Sequence, residues 1–202
     1  MVLNWLGRFG LEADADMAVT VSSPMDLAAS ADYLASGVRR AYDLHLVHGL
    51  RGMIRRKARE QPLPLARGIL RGVYSLRMFD DRITAPLHGF RDADDYYTRS
   101  SPLRSLATIR TPTRMIHALD DPFIPPWTLP TAEMLPPMVS LELSRGGGHV
   151  GFIQGGHPAR AEFWLDQTIT RMISAQLEEE RGGEGKDNGQ MEQPSPTPET
   201  PP

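Results

Sequence analysis

Cysteine is absent from the 202-residue sequence. This absence excludes disulfide bonds, thiolate nucleophiles and zinc sites built on cysteine. No apolar run approaches the ~20 residues that a helix needs to span a bilayer. The first residues also lack the pattern of a secretory signal peptide, so we expect a cytoplasmic protein. The formal net charge of −3 gives no electrostatic reason to expect nucleic acid as a partner.

Short apolar runs between helical patterns predict an α/β fold. Met17–Val21 is a compact β-branched run, and Thr113–Leu119 and Val139–Leu143 are two further predicted strands. The apolar spacing predicts helices at residues 2–9, 38–60, 64–75 and 159–177. In the last of these helices we expect five buried residues, namely Phe163, Trp164, Ile169, Met172 and Ile173. This order of elements is typical of a parallel sheet flanked by helices.

The chain divides into a folded part and a tail. Asp26 is a candidate N-cap, and from there to about residue 100 no strong strand pattern occurs, which predicts a helical cap over 26–100. Residues 1–177 then form one partial domain. Seven acids face two bases after Leu177, and glycine and proline fill much of the rest. Such a composition cannot bury enough apolar surface to fold, so residues 178–202 are predicted to be a disordered tail.

Two reactive side chains follow the two later strands. Asp121 stands just past the strand Thr113–Leu119, and His149 follows three glycines after the strand Val139–Leu143. The carboxyl ends of parallel strands form the sites of open α/β sheets, and an acid that orients a histidine is typical of nucleophilic hydrolysis. The alternative for Asp120-Asp121-Pro122 is a simple turn, in which Asp120 bonds backbone amides and Asp121 faces solvent.

The nucleophile of such a site is not evident. The motif G-x-S-x-G, which holds a serine on a sharp turn between strand and helix, occurs nowhere in the sequence. Ser22 and Ser23 follow a predicted strand, but Pro24 and Met25 do not fit the glycine spacing of that motif.

Several motifs resemble the YheT-like branch of the α/β-hydrolases, a family of esterases and lipases, and the similarity extends from Met1 to about Ile173. The segments that carry it are FDDRITA (79–85), HGF (88–90), DYY (95–97), IHALDDPF (116–123) and GGHVGF (147–152). The resemblance implies that Asp121 is the acid and His149 the general base of a Ser-Asp-His triad. It implies a carboxylic ester or lipid as substrate, and no cofactor or metal.

The resemblance also bears on the first residues. Met1–Gly7 is similar to the segment that follows the nucleophile turn in that family, so we expect the chain to begin just downstream of the serine. The resulting hypothesis is a C-terminal part of a serine hydrolase that is inactive by itself. The alternative is a non-catalytic fragment or binding module that acts through a partner chain.

A helix with a basic end, a pair of histidines and two acidic pairs lie within residues 26–100 and allow more than one interpretation. Residues 38–60 place Tyr42, Leu46, Leu50, Met53 and Ile54 on one helix face, with basic residues near the end of the helix. This segment is either a structural cap or a weak contact with an anionic membrane surface. His45 and His48 share a helix face but have no third ligand at suitable spacing, so we expect no metal there. Asp80-Asp81 and Asp94-Asp95 are interpreted as capping or ion-pairing groups.

Overall fold

Three parallel strands form the central sheet. A computed structural model describes residues 1–154 and 162–187. In it, β1 (Ala18–Val21), β2 (Thr113–Ala118) and β3 (Val139–Ser144) run side by side in that order. Thr113 of β2 lies in register with Ala18 of β1 and with Val139 of β3. All three predicted strands are therefore present, and the predicted α/β class is confirmed.

Helices cover both faces of this sheet. Side chains alternate along β2, so Met115 points to one face and Ile116 to the other. Met115 packs in a buried cluster with Leu3 and Leu6 of α1 (Val2–Phe9). Ile116 packs with Phe152 on the opposite face, where α7 (Trp164–Asp187) contributes partly buried residues. The remaining regular elements outside the cap are 3-10 helices at Gly10–Glu12, Pro102–Thr108, Pro126–Thr128 and Ala132–Met134, and two short strands, β4 (Ile153–Gln154) and β5 (Glu162–Phe163), which pair antiparallel.

The segment from residue 26 to residue 100 contains helices and turns and no strand. Asp26 accepts a hydrogen bond from the N–H of Ala29 at 2.9 Å, which confirms it as an N-cap. A separate buried cluster of Val47, Val73, Phe79 and Ile83 holds much of this segment together. Its elements are α2 (Leu27–Leu34), a 3-10 turn (Gly37–Arg39), α3 (Arg40–Glu60), α4 (Leu76–Phe79), a π-helical turn (Asp80–Thr84), α5 (Ala85–Leu87) and α6 (Ala93–Ser100).

One expectation for this segment is wrong, and a second is confirmed only in part. The predicted helix at 64–75 is a series of turns, in which Gly68 and Gly72 adopt φ of 76° and 69°. These left-handed conformations end helical hydrogen bonding. The predicted apolar face of α3 is confirmed at Leu50 and Ile54, which pack against the buried cluster of Val47, but not at Tyr42, which is 50% exposed. The pattern also missed Asp43, which is buried.

The last helix differs from its prediction at both ends. Residues 155–161, which include the predicted start, lie outside the described residues. The helix begins at Trp164, and Phe163 belongs to β5 and is exposed. Ile173, predicted to be buried, is also exposed. The helix continues through Asp187, well past the predicted end at Leu177. The rest of the predicted tail, 188–202, lies outside the described residues.

Within the described ranges, no helix combines the length and the apolar character needed to cross a bilayer.

Asp43 is expected to stabilise the cap measurably. Its fully buried carboxylate binds the guanidinium of Arg40 at 2.6 Å and accepts the N–H of Leu76 at 2.8 Å. Asp43→Ala leaves that partly buried N–H without an acceptor and removes the bond to Arg40, which we expect to cost about 2 kcal/mol of unfolding free energy in urea titrations. The matched control Asp14→Ala, at an exposed acid, is expected to change it by less than about 0.5 kcal/mol. Equal effects of the two changes would contradict this assignment.

Candidate active site

The two predicted site residues meet at the carboxyl edge of the sheet. Asp121 follows β2 and His149 follows β3, and Nδ1 of the imidazole lies 3.0 Å from Oδ2 and 3.2 Å from Oδ1 of the carboxylate. The Asp121 side chain is fully buried, whereas that of His149 is 33% exposed. In the described part of the chain, Nε2 of His149 has no hydrogen-bond partner. A histidine held in this way can exchange a proton with a substrate through Nε2.

Local backbone geometry fixes the Asp121 carboxylate. Pro122 follows it, and Oδ1 accepts the N–H of Phe123 at 2.8 Å and that of Ile124 at 3.2 Å. Burial raises the pKa of Asp121, but the bonds from His149 and from these two amides outweigh burial and bring the pKa below its usual value. The carboxylate is therefore ionised at neutral pH although it is shielded from water.

The neighbouring Asp120 has a different role. Its Oδ1 accepts the N–H of Gly148 at 2.9 Å, so this side chain ties the glycine loop to the end of β2. The simple-turn alternative foresaw such a bond between Asp120 and a backbone amide. It also placed Asp121 in solvent, which is wrong because Asp121 is 2% exposed.

Two of the three glycines before His149 meet distinct steric demands. Gly148 adopts φ of 61°, which side chains rarely tolerate. A Cβ on Gly147 would lie 2.7 Å from Cδ1 of Phe152 and 3.1 Å from Cβ of Ala118. The loop can therefore approach the sheet only because residue 147 has no side chain, and this close approach brings His149 to Asp121.

Two strained residues flank the acid–histidine pair. Ser22 and Phe152 adopt φ of 48° and 40°, and no other non-glycine residue of the described ranges has a positive φ. Ser22 directly follows β1, and its buried hydroxyl donates a hydrogen bond to the main-chain oxygen of His149. Strain of this kind persists where surrounding contacts enforce it, often at functional sites. The sequence analysis considered Ser22 only as a nucleophile and missed this contact.

Aromatic contacts connect the cap to the pair. The centroid of the Phe123 ring lies 4.5 Å from that of the His149 imidazole. The centroid of the Tyr42 ring, on α3, lies 5.3 Å from that of the Phe123 ring. The sequence analysis placed Tyr42 on the apolar face of this helix, whereas the structure places it beside the site. No local pattern around Tyr42 signals this contact, because the chain returns to it 81 residues later.

His117 lies beneath the pair and is 1% exposed. Burial lowers its pKa to about 4, an effect that the nearby Asp121 charge opposes and His149 reinforces. Its Nε2 has no hydrogen-bond partner among the described residues. His117 is therefore a neutral residue of the core at physiological pH.

The acidic pairs of the cap have structural contacts. Asp80 accepts hydrogen bonds from the hydroxyls of Thr84 and Tyr97, each at 2.7 Å, and burial raises its pKa. Asp81 accepts the N–H of Ala93, and Asp94 pairs with Arg77. These contacts agree with the expected capping and ion-pairing roles.

Three further histidines lie outside the acid–histidine pair. His45 and His48 are exposed on α3, and no group of three or more potential ligands gathers anywhere in residues 1–154 or 162–187. His157, which follows two glycines in the sequence as His149 follows three, lies outside the described residues.

Comparison with known proteins identifies related hydrolases. "Putative esterase YheT" of Escherichia coli (strain K12) is 39% identical over 180 residues, which are 88% of this chain and 53% of the relative. "Monoacylglycerol lipase" of Saccharomyces cerevisiae is 30% identical over 86% of this chain and 39% of its own length. "Phospholipase ABHD3" of Mus musculus is 29% identical over 88% of this chain and 44% of its own length. No family model and no solved structure matches the chain.

The parallel sheet with its flanking helices and these relatives together define a partial α/β-hydrolase fold. Within that class, the chain is similar to the YheT esterase over 88% of its own length, as the motifs around Asp121 and His149 led us to expect. The chain spans about half the length of the Escherichia coli relative, and less than half of the other two.

Gly147 provides a test of the loop geometry. In Gly147→Ala the new methyl group collides with the buried Phe152 ring, so we expect a loss of about 2 kcal/mol in unfolding free energy. We also expect the NMR resonances of the His149 imidazole to change, because the ring is displaced from the Asp121 carboxylate. Gly52→Ala is the matched control because its site in α3 is open, and there alanine is expected to stabilise the helix slightly. Unchanged His149 resonances in Gly147→Ala would contradict the steric argument.

His117 is expected to make the stability depend on pH. Its pKa is about 4 in the folded chain against 6.5 when unfolded. Between these values the unfolded chain binds a proton that the folded chain does not, so stability falls as pH falls from 6.5 towards 4. The full effect is on the order of 3 kcal/mol of unfolding free energy.

We expect His117→Asn to flatten this part of the stability profile, measured by urea titration at pH values across the window. His88→Asn, at an exposed histidine, is the control and should leave the profile unchanged. A profile that keeps its slope without His117 would assign the dependence to other groups.

Proposed function

We propose that this chain supplies the acid and the general base of a Ser-Asp-His triad that hydrolyses carboxylic esters. The observation that carries the proposal is the buried, ionised Asp121 on Nδ1 of His149, at the carboxyl edge of a parallel sheet. In this mechanism His149 removes the proton of an attacking serine through Nε2 and later passes it to the leaving alcohol. Asp121 orients the ring and stabilises the imidazolium that forms between these steps.

The serine of this triad is proposed to come from polypeptide that the 202 residues do not contain. G-x-S-x-G is absent, and the hydroxyl of Ser22 is bonded to the main-chain oxygen of His149 instead of to Nε2. In the described part of the chain, the outer edge of β1 has no strand partner. Unpaired N–H and C=O groups along such an edge favour the addition of another strand.

A groove beside that edge supports the same arrangement. It has a volume of about 790 Å³ and lies between α1, β1 and the cap, with Val2, Val19, Pro24, Leu27 and Phe90 among its apolar lining residues. A parallel strand added at β1 ends at the same edge as β2 and β3, where Asp121 and His149 lie. A serine on the turn after such a strand would therefore be delivered towards the imidazole. Backbone amides of that turn would bind the developing oxyanion.

The substrate class is proposed from the relatives. Their printed names are esterase, lipase and phospholipase, all of which denote hydrolases of esters. Small esters and acyl lipids are accordingly the substrates that we propose for the complete site. No step of this mechanism requires a cofactor.

A chimera tests the triad. We expect the chain alone not to hydrolyse p-nitrophenyl acetate. The chain fused behind the N-terminal half of the Escherichia coli relative, which then carries a G-x-S-x-G turn, is expected to hydrolyse it. His149→Ala in the chimera removes the base and should lower kcat by about a millionfold, and Asp121→Asn by about ten thousandfold.

His48→Ala, at an exposed histidine of the cap, is the matched control and should retain activity. The complete Escherichia coli relative serves as a positive control for the assay. A folded chimera that is inert beside an active relative would overturn the catalytic proposal and leave the partner-dependent, non-catalytic role. Activity that survives His149→Ala would overturn it as well.

A further inference from the structure

Positive charge is concentrated in one stretch of the cap. Residues 49–75 contain seven of the 22 basic residues of the chain and one of its 25 acids, Glu60. The chain as a whole is negative, with a formal net charge of −3. This stretch comprises the C-terminal half of α3 and the turns that follow it, and it lies away from the proposed catalytic pair.

The same stretch forms a groove with an apolar floor and a basic rim, here named the basic groove. Its volume is about 660 Å³, between α3 and residues 62–71. Five of its lining residues are large aliphatic side chains, namely Ile54, Leu63, Leu65, Ile69 and Leu70. Four arginines also line it, namely Arg51, Arg55, Arg67 and Arg71. Apolar surface and cations are thus presented side by side.

The protein itself does not neutralise these cations. Over the described ranges, none of the seven basic residues between 49 and 75 forms an ion pair, whereas Arg40 and Arg77 elsewhere in the cap do. Arg51 makes one long hydrogen bond of 3.4 Å to the oxygen of Val73, and its buried Nε has no partner among the described residues. Groups of one sign held together without counter-charges repel one another, so an external anion relieves a real cost.

We propose that the basic groove docks the protein on the surface of a membrane that contains anionic phospholipid. Lipid phosphates complement the four arginines, and the aliphatic floor complements the acyl region directly beneath the headgroups. Arginine side chains suit this boundary because their stems lie along apolar surface while the guanidinium remains among phosphates. Nucleic acid would use the charge but not the apolar floor, so the lipid surface is the occupant that the groove fits.

The structure also changes which part of the cap is proposed to contact the membrane. The sequence suggested membrane contact through residues 38–60 as a helix face. Tyr42 near the start of α3 instead contacts Phe123 beside His149, and the cluster of seven basic residues begins at Arg51. The proposed surface is therefore the C-terminal half of α3 together with residues 62–71. It does not depend on the triad, because lipid binding requires neither a serine nor turnover.

Vesicle sedimentation of the full chain tests the proposal. We expect binding to vesicles of equal parts phosphatidylcholine and phosphatidylglycerol, no binding to pure phosphatidylcholine vesicles, and weaker binding as salt is raised. Arg55→Glu with Arg67→Glu is expected to weaken binding to the anionic vesicles by at least about tenfold. Leu63→Ser, which keeps all charges, should weaken it by about threefold, because apolar contact is lost.

The matched control reverses two exposed arginines outside the groove, Arg104→Glu with Arg171→Glu, and changes the net charge equally. It should bind within about twofold of the unchanged chain, and circular dichroism checks that each variant is folded. Equal losses in the two double variants would overturn the proposal, because overall charge would then account for binding. Binding to duplex DNA but not to vesicles would overturn the proposal in favour of nucleic acid. Self-association of the chain that is lost only in Arg55→Glu with Arg67→Glu would overturn it as well, and would assign the groove to a second copy of this chain.

Discussion

A buried carboxylate at the end of the central strand is the constraint on which the site depends. Asp121 is 2% exposed, and a charge taken out of water is costly unless hydrogen bonds compensate for it. The amides of Phe123 and Ile124 provide part of that compensation, and the imidazole of His149 provides the rest. The carboxylate thus requires the loop after β2 to keep its shape and the loop after β3 to bring a histidine to it. The need to solvate one charge fixes two loops that are distant in sequence.

The glycine loop meets this need at a conformational cost. Gly147 lets the backbone lie against Phe152 and Ala118, and Gly148 turns it with a positive φ. Phe152 and Ser22 adopt a positive φ although neither is glycine, and both contact the loop. The N–H of Phe152 donates a hydrogen bond to the main-chain oxygen of Gly147, and the hydroxyl of Ser22 donates one to the main-chain oxygen of His149. Strain on both sides of one histidine shows that the surrounding contacts enforce its position at some cost in stability of the loop.

The sequence predicted those features that depend on short stretches of chain. Local sequence patterns predicted the three strands and the N-cap of α2, Asp26. The rule that parallel strands end at one edge predicted that Asp121 meets His149. The apolar face of α3 was predicted only in part, because Asp43 is buried by its bonds to Arg40 and Leu76 and not by apolarity. Ser22 and Tyr42 were missed because their partners lie 127 and 81 residues away, where periodicity carries no information.

Phe123 couples the position of the cap to the geometry of the pair. Its N–H donates to Asp121, and its ring lies between the imidazole of His149 and the ring of Tyr42 on α3. Pro122 and Pro125 restrict the backbone on either side, so Phe123 cannot yield to a shift of α3 without disturbing an amide that solvates the carboxylate. A displacement of the cap therefore acts on the acid and on the base through one residue. The cap consequently takes part in organising the site.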